Sequence, residues 1–128
     1  MISRDDYFAG RDKQYPDDWT QEIEDQAAVT VKRANQLLTA FGEERGVNSG
    51  WRPPEVNATT PGAAPFSRHM TGQAIDIHDP EGDLDQWCLD HPDVLTSIGL
   101  WQEQPASTKG WTHVQVIPPK SGNRVFWP

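Results

Sequence analysis

The sequence has little cysteine, which limits how its fold and any metal site can be held. Cys88 is the only cysteine among 128 residues, so no disulfide can form within the chain. A zinc site built from several thiolates is excluded for the same reason. Any metal site must therefore use histidine and carboxylate side chains.

Long apolar runs and excess positive charge are also missing. No stretch approaches the roughly 18 apolar residues needed to cross a bilayer, and no apolar run follows a basic start. Eleven Lys and Arg against nineteen Asp and Glu give a formal net charge of -8, whereas nucleic-acid binding depends on clustered basic residues. We expect no nucleic-acid partner, no membrane insertion and a protein that is cytoplasmic as made.

Apolar residues are nevertheless sufficient for a core. Hydrophobic residues make up 35% of the chain and include six Trp and four Phe, which disfavours disorder throughout. A chain of this length can bury one core but is short for two domains. We predict a single domain over residues 1–128.

Apolar periodicity predicts one long helix and two short ones. Apolar residues recur at three- and four-residue spacing from about Asp18 to Phe41, where Asp18 and Gln21 resemble a capping box and Gly42 offers a stop. Short helices are predicted from about Gly82 and from Pro92.

Two segments alternate in the manner of half-buried strands. These segments are Gln73–His78 and Trp111–Ile117. Between the long helix and the first of these, residues 47–66 are rich in Gly, Pro, Asn and Thr, which predicts a short strand end followed by an ordered loop.

A candidate metal site emerges from the same segments. His69 and Asp76 lie seven residues apart, and Gly72 between them permits a tight turn that would let both side chains converge. His113 arrives on the later strand. Two histidines and one carboxylate, with a fourth position left for water, are typical of catalytic zinc sites.

The motifs around these residues resemble a known family of zinc peptidases. Residues 67–76 read SRHMTGQAID and fit the Ser-x-His-x-x-Gly-x-Ala-x-Asp signature of the zinc D-Ala-D-Ala carboxypeptidases and the related L-Ala-D-Glu endolysin peptidases. Residues 110–114, GWTHV, resemble the final ligand strand of that family, and residues 49–57 resemble its Ser-Gly-Tyr-Arg-Ser-x-x-x-Asn segment. The tail over residues 118–126 is similar to that of short phage and prophage members.

The resemblance implies a fold, a cofactor and a substrate. The fold would be the α+β arrangement of the hedgehog signalling domain and DD-peptidases, with helices packed on a small antiparallel sheet. His69, Asp76 and His113 would bind Zn²⁺. The substrate would be the peptide stem of bacterial peptidoglycan, reached from a phage virion, through a holin or after release from the cell.

The resemblance also implies substrate-binding residues, each with a plainer alternative. Arg52 matches the family arginine that faces substrate, or is a surface arginine beside Trp51. Ser67 either hydrogen-bonds substrate or caps the turn before His69. The tryptophans at 51, 101 and 111 either wall a cleft or belong to the core.

One position departs from the family pattern. Active members usually carry Asp or Glu three residues before the last histidine, where it moves the proton of the reaction, but this chain has Gly110. His78 and Gln115 share the metal-bearing strand faces, so His78 is a candidate base or extra ligand and Gln115 a candidate substrate contact. Glu103, expected in the loop before Gly110, and Glu55 are further carboxylates that could supply the base.

Two functions therefore follow from the sequence. The first is a zinc metallopeptidase that hydrolyses peptidoglycan stems. The second is a catalytically impaired module of the same fold that binds zinc or the cell wall, or that serves as a virion component.

Overall fold

The computed structural model describes residues 1–128 and contains one five-stranded sheet. The strands are β1 (Val47–Ser49), β2 (Ala74–Asp79), β3 (Trp101–Glu103), β4 (Gly110–Gln115) and β5 (Val125–Phe126). Their order across the sheet is β1-β2-β4-β3-β5. Neighbouring strands are antiparallel except for β3 and β5, which run parallel.

The chain also has six α-helices, so the architecture is α+β, as the resemblance implies, although the expected antiparallel sheet is mixed because β3 and β5 are parallel. They are α1 (Arg4–Phe8), α2 (Arg11–Gln14), α3 (Gln21–Phe41), α4 (Pro54–Thr59), α5 (Asp83–Asp90) and α6 (Pro92–Ile98). The predicted long helix and the two predicted short helices correspond to α3, α5 and α6. None of these helices has the length and apolar character needed to span a membrane.

Helix α3 has its N-cap two residues after the predicted position at Asp18. Thr20 is the N-cap, and its hydroxyl accepts a hydrogen bond from the Ile23 backbone N–H at 3.1 Å. The prediction that Asp18 and Gln21 cap this helix is therefore wrong. The predicted stop is confirmed, because Gly42 ends the helix with a φ of 90°.

The two predicted strands form the centre of the sheet. Strands β2 and β4 pair over six residues, and this register places Asp76 directly opposite His113. Both predicted strands are confirmed, with ends shifted by one or two residues. Strands β3 and β5 and helices α1, α2 and α4 were not predicted.

The core lies against one face of the central strands. Ile75, Ile77 and Val114 are fully buried and pack in one cluster with residues of α1, α3, α5 and α6. Because side chains alternate along a strand, Asp76 and His113 point to the opposite face. The sheet thus separates the hydrophobic core from the polar residues of the candidate site.

Candidate metal centre

The three predicted metal ligands converge in the folded chain. His69 lies on a 3-10 turn, Arg68–Thr71, while Asp76 and His113 lie side by side on β2 and β4. All three side chains are buried, and one ligand atom from each lies within 4.8 Å of the other two. No other group of three or more His, Cys, Asp or Glu residues with this geometry occurs in the structure.

The turn that carries His69 is fixed at both ends. Ser67 caps its start, since its hydroxyl accepts a hydrogen bond from the His69 backbone N–H at 3.2 Å. Gly72 ends it with a φ of 77°, and a Cβ there would lie 2.9 Å from the Ile23 carbonyl oxygen. Glycine is therefore required for both backbone conformation and close packing on α3.

The His69 ring presents one bare nitrogen to the site. Its Nδ1 lies 2.8 Å from the Gly50 carbonyl oxygen, and because a carbonyl only accepts, Nδ1 carries the hydrogen. Its Nε2 is buried, has no hydrogen-bond partner and lies 3.2 Å from Asp76 Oδ1. Burial lowers the pKa of His69, so the neutral ring is favoured and the Nε2 lone pair faces the other two residues.

The same carboxylate oxygen also meets the second histidine. His113 Nδ1 lies 2.9 Å from Asp76 Oδ1. Burial opposes the charged form of Asp76, yet the two histidines hold its pKa well below its usual range. Burial likewise opposes the charged form of His113, but its hydrogen bond to Asp76 and the charges of Asp76 and Glu103 together outweigh burial and raise the pKa of His113. The carboxylate is thus ionised at neutral pH.

This donor set fits a zinc ion. Two imidazole nitrogens and one carboxylate oxygen surround a single point, and this combination is common at catalytic zinc. A buried nitrogen without a partner, such as His69 Nε2, is costly unless something binds it. A cation at this point would satisfy that nitrogen and balance the Asp76 charge.

The candidate metal centre forms the floor of a cleft of about 230 Å³. Most of the lining is polar. Besides the three ligands, the cleft is lined by Arg52, Thr60, Pro61, Gly62, Ala63, Ala64, Ser67, Glu103, Ser107, Trp111 and Pro128. The structure therefore brings Arg52, Ser67 and Glu103 together with the predicted ligands.

Arg52 is a buried cation in this cleft and not a surface residue. Only 8% of it is exposed, and one of its terminal nitrogens donates to the Ser67 hydroxyl at 3.1 Å. The other lies 3.9 Å from Asp76 Oδ2, and Nε has no partner. Burial lowers the pKa of Arg52, but a guanidinium stays charged in proteins. Ser67 serves both as turn cap and as partner of Arg52.

Glu103 lies on a strand, so the prediction that it belongs to a loop is wrong. It ends β3, whose Trp101 and Gln102 pair with Gln115 and Val114. One further step in this register places Glu103 opposite His113. Burial raises the pKa of Glu103, and the attraction of His113 opposes that rise.

The remaining predicted residues lie elsewhere. His78 is exposed, and its ring contacts Asn48 at 3.1 Å on the edge strand. Glu55 is exposed on α4, and neither residue lines the cleft. Gln115 is buried beneath His113 and bonds to its ring, instead of facing the cleft. We therefore find no cleft position for these three side chains.

Of the three tryptophans considered as cleft walls, one takes that position. Trp111 on β4 lines the cleft, whereas Trp51 is fully buried in the core. Trp101 does not line the cleft, and the Arg124 guanidinium stacks over its ring at 4.3 Å.

The sequence analysis missed the segment that forms one wall of the cleft. Residues 60–64 follow α4, and the Asn57 side chain at the end of that helix donates to the Ala64 carbonyl oxygen at 2.9 Å. The Pro61-Gly62 pair signals a turn, but only the fold shows that this turn borders the metal centre.

Comparison with known proteins agrees with this geometry. No curated protein and no solved structure matches the chain. The family model for peptidase M15 matches residues 13–114, which include Arg52, the turn of His69, strand β2 and all but the last residue of β4. The match covers well over half of the 128 residues, and so the chain belongs to the peptidase M15 family.

Proposed function

We propose that the protein is a zinc metallopeptidase that hydrolyses the peptide stems of bacterial peptidoglycan. One observation carries the proposal. Three ligand atoms lie within 4.8 Å of one another on the floor of a cleft that also holds a buried arginine and a half-buried glutamate. Peptidases of this family depend on zinc.

His69, Asp76 and His113 would hold the zinc ion. Zinc in such sites acts as a Lewis acid that polarises the scissile carbonyl and makes water a stronger nucleophile. Asp76 would contribute the negative charge, and both imidazoles would bind in their neutral form, so His113 would give up the proton that its contact with Asp76 favours. The cleft above leaves this position open to a substrate.

Arg52 is placed to bind a carbonyl or carboxylate oxygen of the substrate. Its guanidinium is fixed by Ser67 and by burial, so little side-chain entropy is lost when it binds. Its unpaired Nε leaves a donor unsatisfied. A planar donor fork matches the main-chain oxygens of a peptide or its terminal carboxylate.

Glu103 is the group best placed to move the proton. As general base it takes a proton from the attacking water while the water oxygen bonds to the carbonyl carbon. As general acid it then gives that proton to the leaving amine when the C–N bond breaks. Its place opposite His113 supplies the carboxylate that Gly110 does not.

The peptidoglycan stem is proposed on two grounds. The motifs around Arg52, His69 and His113 resemble those of peptidases that act on D-amino-acid stems. In addition, the wall over residues 60–64 contains Gly62, Ala63 and Ala64. Such small residues leave room for a peptide backbone with short side chains, as in alanine-rich stems.

The proposal is tested with purified peptidoglycan. Zinc-loaded protein should release new amino termini, and His113→Ala should abolish their release. His91→Gln is a matched control, because His91 stacks on Trp87 at 4.0 Å and does not line the cleft. No release by the zinc-loaded parent protein would refute the proposal.

The second candidate function rests on Gly110. Without a carboxylate at that position, the fold could serve as a binding or virion module that holds zinc without turnover. In that case the parent protein would bind zinc or sacculi, yet neither peptidoglycan nor stem peptides would be cleaved. Glu103 in the cleft makes us favour the enzyme.

Delivery to the wall is part of the proposal. The tail over residues 118–126 is similar to that of short phage members, which supports action after release by a virion or a holin. Expression in bacteria with and without a holin tests this route. Lysis that requires the holin would support it, and equal lysis without the holin would contradict it.

A further inference from the structure

Gln115 lies next to a candidate metal ligand without facing the cleft. It follows His113 by two residues on β4, so both side chains point to the same face of the sheet. Gln115 is only 5% exposed. Its Oε1 lies 3.1 Å from Nε2 of the His113 ring.

A second hydrogen bond fixes which way the Gln115 amide points. Its Nε2 donates to the Ile117 carbonyl oxygen at 2.8 Å. Because a carbonyl oxygen only accepts, the NH₂ end must face Ile117. The amide oxygen must then face the His113 ring.

This orientation determines which ring nitrogen carries a hydrogen. An amide oxygen also only accepts, so His113 Nε2 must be protonated to bond with it. In the metal-free protein Nδ1 donates to Asp76 Oδ1 at 2.9 Å, and a metal ion would replace that hydrogen on Nδ1, the one ring nitrogen that Gln115 does not hold. The Ile117 carbonyl oxygen thus fixes the protonated nitrogen of the His113 ring through the Gln115 side chain.

In His69 the other ring nitrogen, Nδ1, carries the hydrogen. The Gly50 carbonyl oxygen accepts from Nδ1 of His69 and leaves Nε2 toward Asp76. One imidazole therefore offers Nε2 and the other Nδ1. Each is set by an oxygen outside the ligand set.

We propose that Gln115 is a positioning residue that selects the tautomer and ring plane of His113 for metal binding. The inference rests on the proposed zinc site but not on the substrate. Partners of this kind, bonded to the outer nitrogen of a ligand histidine, typically change metal affinity about 10- to 100-fold.

The first experiment measures zinc affinity by competition with a chromophoric chelator. Gln115→Leu keeps the bulk of the side chain but removes the acceptor, and we expect its zinc dissociation constant to rise about 10- to 100-fold. Gln115→Glu restores an acceptor and should return the constant toward the parent value. Gln102→Leu is a matched control, because this buried glutamine bonds to Asp85 on the far side of β3.

Folding is followed separately from zinc binding. Thermal unfolding of each metal-free variant shows whether Gln115→Leu remains folded, and Gln115→Met offers a second acceptor-free side chain if it does not. A changed zinc affinity in a variant that unfolds at a parent-like temperature supports a positioning role. Unchanged affinity in every acceptor-free variant that folds would overturn it.

The second experiment reads the tautomer directly. In zinc-loaded protein labelled with ¹⁵N, we expect proton correlations at Nε2 of His113 and none at Nδ1. A hydrogen on Nδ1 of His113 in the zinc-loaded parent protein would overturn the inference. A parent that binds no zinc would overturn the zinc site as well, whereas zinc binding without peptidase activity would refute only the proposed function.

Discussion

Replacement of Glu103 by glutamine is the sharpest test of the proposed mechanism. The amide keeps the size of the side chain at the end of β3 but cannot accept the proton of the attacking water. Loss of a general base typically lowers the rate about 10²- to 10⁴-fold, which corresponds to about 2.7 to 5.4 kcal/mol of barrier. Because Glu103 is not among the three ligands, zinc content should stay near that of the parent.

The pH dependence gives the same test a second readout. Burial raises the pKa of Glu103 above its ordinary value. A base works only when deprotonated, so kcat/KM should fall as the pH drops through this raised pKa. The acidic limb of the profile should therefore lie above the usual glutamate range, and it should be absent from the residual activity of Glu103→Gln.

The assay follows amine release from a synthetic stem peptide by zinc-loaded parent and variant proteins. His78→Gln serves as the comparison, since His78 is exposed and lies outside the cleft. We expect it to retain the parent rate and zinc content. Full activity in Glu103→Gln together with loss in His78→Gln would refute the assignment of the base.

Three further predictions follow from the same geometry. Arg52→Lys should raise KM more than it lowers kcat in the stem-peptide assay, because a single ammonium cannot reproduce a buried planar fork. Gly50→Ala should lower the free energy of unfolding by at least about 1 to 3 kcal/mol in denaturant titrations, because the added Cβ would collide with the Tyr7 carbonyl oxygen. Gly46→Ala is the control and should leave the free energy of unfolding unchanged, because a Cβ there would meet no other atom. Zinc at one hundred times its dissociation constant should stabilise the protein by about 2.7 kcal/mol in thermal unfolding, and His113→Ala should remove this stabilisation.

His69 and Asp76 could be predicted as neighbours because the turn between them is local, and the resemblance of residues 67–76 and 110–114 to zinc-peptidase motifs identified the three ligands. A short turn with glycine fixes His69 relative to Asp76, and strand alternation places Asp76 and His113 on one face. The pairing of β2 with β4, which sets Asp76 opposite His113, emerges only in the fold. The turn and the strand alternation could be predicted because each depends on residues that are close in sequence or that share a simple period.

Strand β3 and its Glu103 could not be predicted in the same way. The strand has three residues, too few for a period to emerge, and it forms because β4 and β5 supply partners on both sides. The cap at Thr20 was missed because Asp18 offers a similar pattern two residues earlier. Tertiary packing decides between such local alternatives.

Alternation along a strand predicts the face of the sheet on which a side chain lies, but it does not predict what surrounds that side chain. His78 shares the face of Asp76, but it lies near the end of β2 beside Asn48 of the edge strand. Gln115 shares the face of His113, yet neighbouring strands bury it. The path of the cleft depends on residues 60–64, whose position follows from the fold and not from any period.

The unsatisfied polar atoms around the cleft imply a trade-off between activity and stability. Four buried side-chain atoms have no hydrogen-bond partner, and three of them belong to Arg52, Asn57 and His69. Each such atom typically costs about 1 to 3 kcal/mol. Replacing Arg52 or His69 with an apolar residue of similar size should therefore stabilise the metal-free fold while it removes a group that the proposed function needs.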